Sequence, residues 1–250
     1  MEILAGLVAG CFIGAVLGFI GAGGAMLTVP ILLYLFDFTP QSATTAALAV
    51  VLLAAGSGLI PKLKTKDVLI KEALTIWCLG LVTNIGSSLI AYRLSDNFIT
   101  TGFSLVMLLA GASMLIKPVS GTEKKVPIIW LVFISLIIGL ITGFFGIGGG
   151  FLAIPILVLF FKNSHAKAAG TSLAIIFLNS LTAFFGHYQG WGAVNWKVPI
   201  SMAVAAVVVA RLSSIKSKDI KPVILRIAFA VLLFSISIFT LTETWILSSR

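Results

Sequence analysis

Acidic side chains are scarce in this chain: Asp and Glu together number 8 in 250 residues, and none stands in the middle of an apolar run, Asp37 and Glu72 coming only at run ends. Cation pathways through a membrane depend on buried carboxylates, so that class of function is disfavoured from the start. Cysteine is almost absent. Cys11 and Cys78 both lie inside apolar stretches, where a lone thiol behaves as a small hydrophobe and marks no redox compartment. No Cys/His cluster has the spacing of a metal site, and no Ser-His-Asp set assembles without loop residues. No Gly-Lys-Ser/Thr follows either glycine cluster, which excludes a phosphate-binding loop. We expect no catalytic residue, no metal and no cofactor, and the chain does not read as an enzyme.

Charge of either sign is sparse as well. Only 10% of residues are charged against 59% hydrophobic, and the mean hydropathy is +1.16. Such a chain has too little polar surface to cover a water-soluble globule, so its partner is the lipid bilayer. Runs such as Ala43–Ile60, Val126–Phe145 and Ile227–Leu241 approach the roughly 18–20 apolar residues a spanning helix needs. They are apolar all round, without the ten-residue alternation of a membrane barrel. Ahead of the first run stand only Met1 and Glu2, with no basic segment, so this run is expected to be mature structure and not a cleaved signal. The net charge of +9 is spread over short loops with no interleaved aromatics, which argues against nucleic acid and for a topology signal.

What the sequence does have is an internal repeat at an offset of 125 residues. The stretch Gly18–Leu32 aligns without gaps on Gly143–Leu157, matching Gly18/Gly143, Phe19/Phe144, Gly21/Gly146, Gly23/Gly148, Gly24/Gly149, Pro30/Pro155, Ile31/Ile156 and Leu32/Leu157. Ala43–Ala49 falls on Ala168–Ala174 at the same offset. The predicted organisation is a first transmembrane repeat over 1–117, a linker over 118–125 and a second repeat over 126–250. Each repeat reads as a glycine-broken pair of apolar arms and three longer runs. The arms are Ile3–Ile20 and Ala25–Phe36, then Pro127–Phe145 and Gly150–Phe161; the runs are Ser42–Ile60, Val68–Ala91 and Phe98–Ile116, then Ala166–Phe185, Val198–Leu212 and Val223–Leu247.

The basic residues choose between two layouts. With each broken pair folded as a hairpin, loops 61–71, 117–125, 162–167 and 211–226 share one side and hold 14 of the 17 Lys and Arg, leaving Arg93, Lys197 and Arg250 opposite. With each pair as one kinked span the division is 9 against 8 and no bias remains. The hairpin layout makes an odd number of passes per half. The fold class expected is therefore all-α and polytopic, two inverted repeats each with a glycine-broken hairpin and three transmembrane helices. The basic loops face the cytoplasm, and both termini lie opposite the linker. Inverted repeats with interrupted segments at matching places are a pattern of secondary transporters, with substrate near the midplane.

The expected anion-site residues are Gly21, Gly23 and Gly24 of the first bend and Gly146, Gly148, Gly149 and Gly150 of the second, because glycine permits positive φ and close approach of backbone N–H groups to an anion. A glycine stripe serving only helix packing is the competing reading. Thr44, Thr45, Thr171 and Ser172, at the start of the first long run of each half, add hydroxyls that could instead bond their own helix. Asn179, an amide inside an apolar run, is a further expected anion-site residue; for it, as for Asn84, bonding to a partner across helices is the competing reading. His187, opposite Lys62 in the repeat, could relay a proton or anion; an interfacial His beside Tyr188 and Trp191 is the plainer alternative.

The glycine motif with its following Pro, Gly170-Thr171-Ser172, and the Gly192-x-Val-x-Trp196 pattern together resemble the sulfite exporter TauE/SafE family over essentially the whole chain. The resemblance implies prokaryotic inner-membrane transporters with a four-segment repeat that export sulfite, sulfonates and related sulfur-containing anions. The first half departs from it, with Thr45-Ala46-Ala47 where Gly170-Thr171-Ser172 stands in the second. The expected function is export of a small anion by alternating access, a passive anion channel or an uptake permease for another anion being the alternatives. Self-association stays open.

Overall fold

The computed structural model describes residues 1–91, 93–115, 128–150, 153–154, 157, 165–217 and 222–247. The expected linker and most of the arm 150–161 lie outside these, as do Lys117, Lys124, Lys125, Lys162, Lys218, Lys221 and Arg250. Among the described residues the regular elements are all helical: α1 (Glu2–Ile20), α2 (Gly24–Leu35), α3 (Pro40–Lys64), α4 (Ile70–Ala91), α5 (Asp96–Leu115), α6 (Ile128–Phe145), α7 (His165–Gly186), α8 (Lys197–Lys216) and α9 (Pro222–Thr242). A short 3-10 stretch, Tyr188–Ala193, links α7 to α8, and a π turn, Glu243–Leu247, follows α9. Seven of the described helices are long and apolar enough to cross a membrane. The chain is an all-α polytopic membrane protein.

Glycine fixes where the first helix breaks. Gly21 caps α1 in the left-handed region (φ 77°), its N–H bonding Leu17 O at 2.8 Å, and Gly23 repeats the conformation (φ 85°) before α2 starts. The two arms are unequal: α1 has 19 residues and α2 has 12. At 1.5 Å per residue the first arm runs about 28 Å and nearly crosses the bundle, so it is not the short arm that symmetry with α2 would suggest.

Small residues bring the helices together. Gly6, Gly10, Gly14 and Gly18 form one face of α1 against α8, where a Cβ on Gly14 would lie 2.6 Å from Ala206 O. Gly80, Gly139 and Gly143 do the same between α4 and α6, with a Cβ on Gly143 falling 2.5 Å from Asn84 O. Such close backbone approach is the usual basis of helix packing in lipid, where burial of apolar surface supplies no drive.

The order of these contacts fixes the directions. Gly6 meets Val198 and Ser201 while Gly18 meets Ser213 and Ser214, so α1 and α8 run parallel. By the same reading α6 runs parallel to α4. The repeat-equivalent pair α3 and α7 runs antiparallel: Thr45 reaches His187 (3.1 Å), and beyond the other end of α3, Leu69 N donates to Thr171 Oγ1 (2.9 Å). The second equivalent pair, α5 and α9, is also antiparallel, Ser237 Oγ donating to Ser104 O (2.7 Å) and Trp245 Nε1 to Thr101 Oγ1 (3.0 Å).

One end of the bundle, here the near end, therefore holds the starts of α1, α3, α5 and α8. The opposite end holds the ends of α1, α3 and α8 and the starts of α4 and α7. It carries Lys62, Lys64, Lys66, Lys71, Lys167, Arg211 and Lys216, against Arg93 and Lys197 at the near end among the described residues. We call it the basic end.

Candidate functional site

The second glycine bend leaves α6 at the near end and descends beside the middle of α7. Gly146 (φ 66°) packs on Thr44, where a Cβ would sit 2.8 Å from its methyl. Gly148 (φ 72°) faces Ile176 and Ser180, and Gly149 (φ 69°) faces Ile138, Thr142 and Asn179. Ser172 Oγ donates to Gly150 O at 2.8 Å and fastens the bend to α7. The side chains around it include hydroxyls and a carboxamide, all buried: Thr142, Ser172, Asn179 and Ser180. Thr142 is used within its own helix, donating to Ile138 O (2.8 Å). Asn84 Nδ2 donates to both Asn179 O (3.1 Å) and Asn179 Oδ1 (3.3 Å), which ties α4 to α7. Asn179 Nδ2 and Ser180 Oγ have no hydrogen-bond partner among the described residues. Buried polar atoms are nearly always paired, so two such donors, one against Gly149 and one against Gly148, are an anomaly that a ligand would resolve.

At the near end His187 closes a contact among three helices. It is 6% exposed; its Nε2–H donates to Gly143 O at 2.8 Å, a last-turn carbonyl of α6 that lacks a helical partner, and Nδ1 pairs with Thr45 Oγ1 at 3.1 Å. The Thr45 hydroxyl also lies 2.9 Å from Gln41 O. Burial lowers the imidazole pKa from its ordinary value, opposed by the Gly143 carbonyl. His187, Thr44, Thr45, Gln41 and Phe144 line a cavity of about 20 Å³, room for one water.

The remaining sequence candidates sit elsewhere. Thr44 Oγ1 donates to Pro40 O in its own helix (2.8 Å). Thr171 lies at the basic end, donating to Lys167 O (2.7 Å) and accepting from Leu69 N. Lys62, 3% exposed, donates to Ser217 Oγ (2.7 Å), also at the basic end, so it and His187 occupy equivalent positions at opposite ends. The first bend meets apolar surfaces: Gly21 packs on Ala169, Gly23 on the Phe229 ring and Gly24 on Leu17. Gly21 on Ala169 and Gly146 on Thr44 are the same contact in the two repeats, at the 125-residue offset.

The model of the family described as sulfite exporter TauE/SafE matches residues 6–240. The chain belongs to that family. A Bacillus subtilis protein named a probable membrane transporter protein, YunE, is 30% identical over 80% of this chain and 83% of its own length. Probable membrane transporter proteins of Methanocaldococcus jannaschii (26% identical) and Xylella fastidiosa (24%) each align over 94% of both chains. No solved structure matches. Among TauE/SafE proteins this one is thus a multi-pass membrane transporter. Ser180 and Thr142 escaped the sequence reading because a hydroxyl in an apolar helix usually bonds a carbonyl one turn back. Thr142 does so; Ser180 departs from the rule, and only the packed structure reveals it.

Proposed function

We propose that the protein is a secondary transporter that exports a small anion, a sulfite, organosulfonate or related sulfur-containing species, by alternating access. The observation that carries the reading is the pair of glycine bends, entering from opposite ends and each packed on the other repeat's first long helix, at Ala169 and Thr44. The antiparallel packing of α3 with α7 and α5 with α9 supports inverted repeats. Rocking one repeat against the other would then expose a bend first to one side and then to the other.

The basic end faces the cytoplasm in this reading, as the positive-inside rule favours. A negative-inside potential then drives anion efflux by ~2.3 kcal/mol per charge per 100 mV, with no need of ATP. His187, at the near end, holds the second bend's root to α3 and α7 and acts as the outer latch. The test is flux of sulfite, sulfoacetate, thiosulfate and methanesulfonate in proteoliposomes. Saturable flux with counterflow is expected for at least one of these anions, and Gly149→Leu, which drives a side chain into Ile138 and Thr142, abolishes it while the protein still inserts. Conduction without saturation or counterflow would favour a channel, and movement of cations alone would end the anion reading.

A further inference from the structure

The two repeats are alike in backbone but unlike in donors. At the 125-residue offset Asn179 corresponds to Ala54, Ser180 to Ala55, Ser172 to Ala47, Thr142 to Leu17, and Asn84 to Val209. Ala47, Ala54, Ala55 and Leu17 are fully buried, so the first repeat offers apolar surface where the second offers hydroxyls and an amide. We infer that the transporter has one substrate site per chain, not two, built at the second bend on Asn179 and Ser180, and that it selects a singly charged oxyanion. This rests on the transport reading above and narrows it.

The direction of the Asn179 amide follows from its neighbours. Ser88 Oγ donates to Asn84 Oδ1 (3.4 Å), which turns Asn84 Nδ2 toward α7, where it takes Asn179 Oδ1. The carboxamide oxygen is therefore occupied and the NH2 group points at the bend, 3.4 Å from where a Cβ on Gly149 would lie. Ser180 Oγ is 3.1 Å from the corresponding point on Gly148. Asn179 is 1% exposed and Ser180 0%, and both donors are unpartnered among the described residues. The glycine backbone closes directly over them, so admitting an anion requires the bend to draw back from α7.

Charge selectivity follows from what the site contains. The described side chains nearest to a Cβ placed on Gly148 or Gly149 belong to Ile138, Thr142, Ile176, Asn179 and Ser180, none of them ionisable. Neutral donors and fixed dipoles can hold one buried negative charge, whereas a second would be uncompensated and costly to desolvate. A sulfonate or hydrogensulfite fits; sulfate does not.

The experiment is isothermal titration of the purified full-length protein with methanesulfonate and with sulfate, alongside thermal unfolding and liposome flux. Wild type is expected to bind one methanesulfonate per chain and sulfate at least about tenfold more weakly. Ser180→Ala should weaken methanesulfonate about tenfold, the worth of one hydrogen bond to a charged group, with no fall in Tm because no protein bond is lost. Asn179→Leu should weaken it further but lower Tm, since Asn84 loses the side-chain one of its two acceptors, so Ser180→Ala is the cleaner variant. Ala55→Ser, the mirror position, should leave affinity unchanged. Two anions per chain or an unchanged Kd in Ser180→Ala overturns the single site, and equal affinity for sulfate overturns the charge selection, each while leaving anion transport standing. A wild type that moves anions yet binds neither probe overturns it too, whereas one that neither binds nor moves any anion overturns the transport reading itself.

Discussion

His187 shows how one side chain can register pH at the end of a buried bundle. With Nε2–H committed to Gly143 O, the neutral ring accepts at Nδ1 from Thr45; the protonated ring donates there and returns the Thr45 hydroxyl to Gln41 O. Burial holds the folded-state pKa below the unfolded value of about 6.5, so the unfolded chain takes up this proton first as pH falls. The stability due to neutral His187 is complete above that value and is lost as pH drops through it. Thermal unfolding of the wild type is therefore expected to weaken from pH 7 to 5, and His187→Gln to flatten that part of the profile; superimposable profiles would remove His187 from the account. Asn84→Val should cost about 1 kcal/mol, read as a lower Tm, by freeing Asn179 Oδ1. The sequence made Asn84, Asn179 and His187 visible because amide and imidazole are rare in apolar runs. It could not show which hydroxyls were already occupied: Thr44 and Thr171 bond carbonyls of their own helices, while Ser180, chemically no different from them, does not.

Helix boundaries were legible to within a few residues because glycine, proline and charge punctuate apolar runs in lipid as sharply as anywhere. Thr39 caps α3, accepting from Ser42 N, and Pro40 follows at the first helical position. The depth of α1 was less legible, since length alone does not say whether an arm dips or crosses; its glycine face against α8 settles the alignment. Packing of this kind makes opposite predictions for two glycines. Gly14→Leu places a side chain against the Ala206 backbone, which cannot retreat without parting α1 from α8, and should cost about 3 kcal/mol or more. Gly86, exposed on α4 with nothing within 4 Å of where a Cβ would lie, should gain about 0.5 kcal/mol as Gly86→Ala through reduced backbone entropy in the unfolded chain. Thermal unfolding in detergent ranks the pair, and equal Tm values would mean that the glycine face does not set the α1–α8 distance.

At the scale of the molecule, the repeat and its charges carry a topological commitment that contact geometry alone does not make. Within the bundle, α3 ends beside the start of α7 and the end of α8, which brings Lys64, Lys167 and Lys216 to one end and leaves Lys197 at the other. Each half begins at one end of the described bundle and finishes at the opposite one, so in the proposed reading a membrane around it sees the halves in opposite senses. Cysteine replacement tests that directly. With Cys11 and Cys78, both exposed on the helix surface, changed to alanine, Lys64→Cys and Lys216→Cys should be blocked by a membrane-impermeant maleimide only after cells are opened, and Lys197→Cys in intact cells. Lys64 and Lys216 come from different halves, so their common compartment is the discriminating result. If they were labelled from different sides, the two bends would enter from the same face, and a rocking motion could not present a solute bound at one of them to each side in turn.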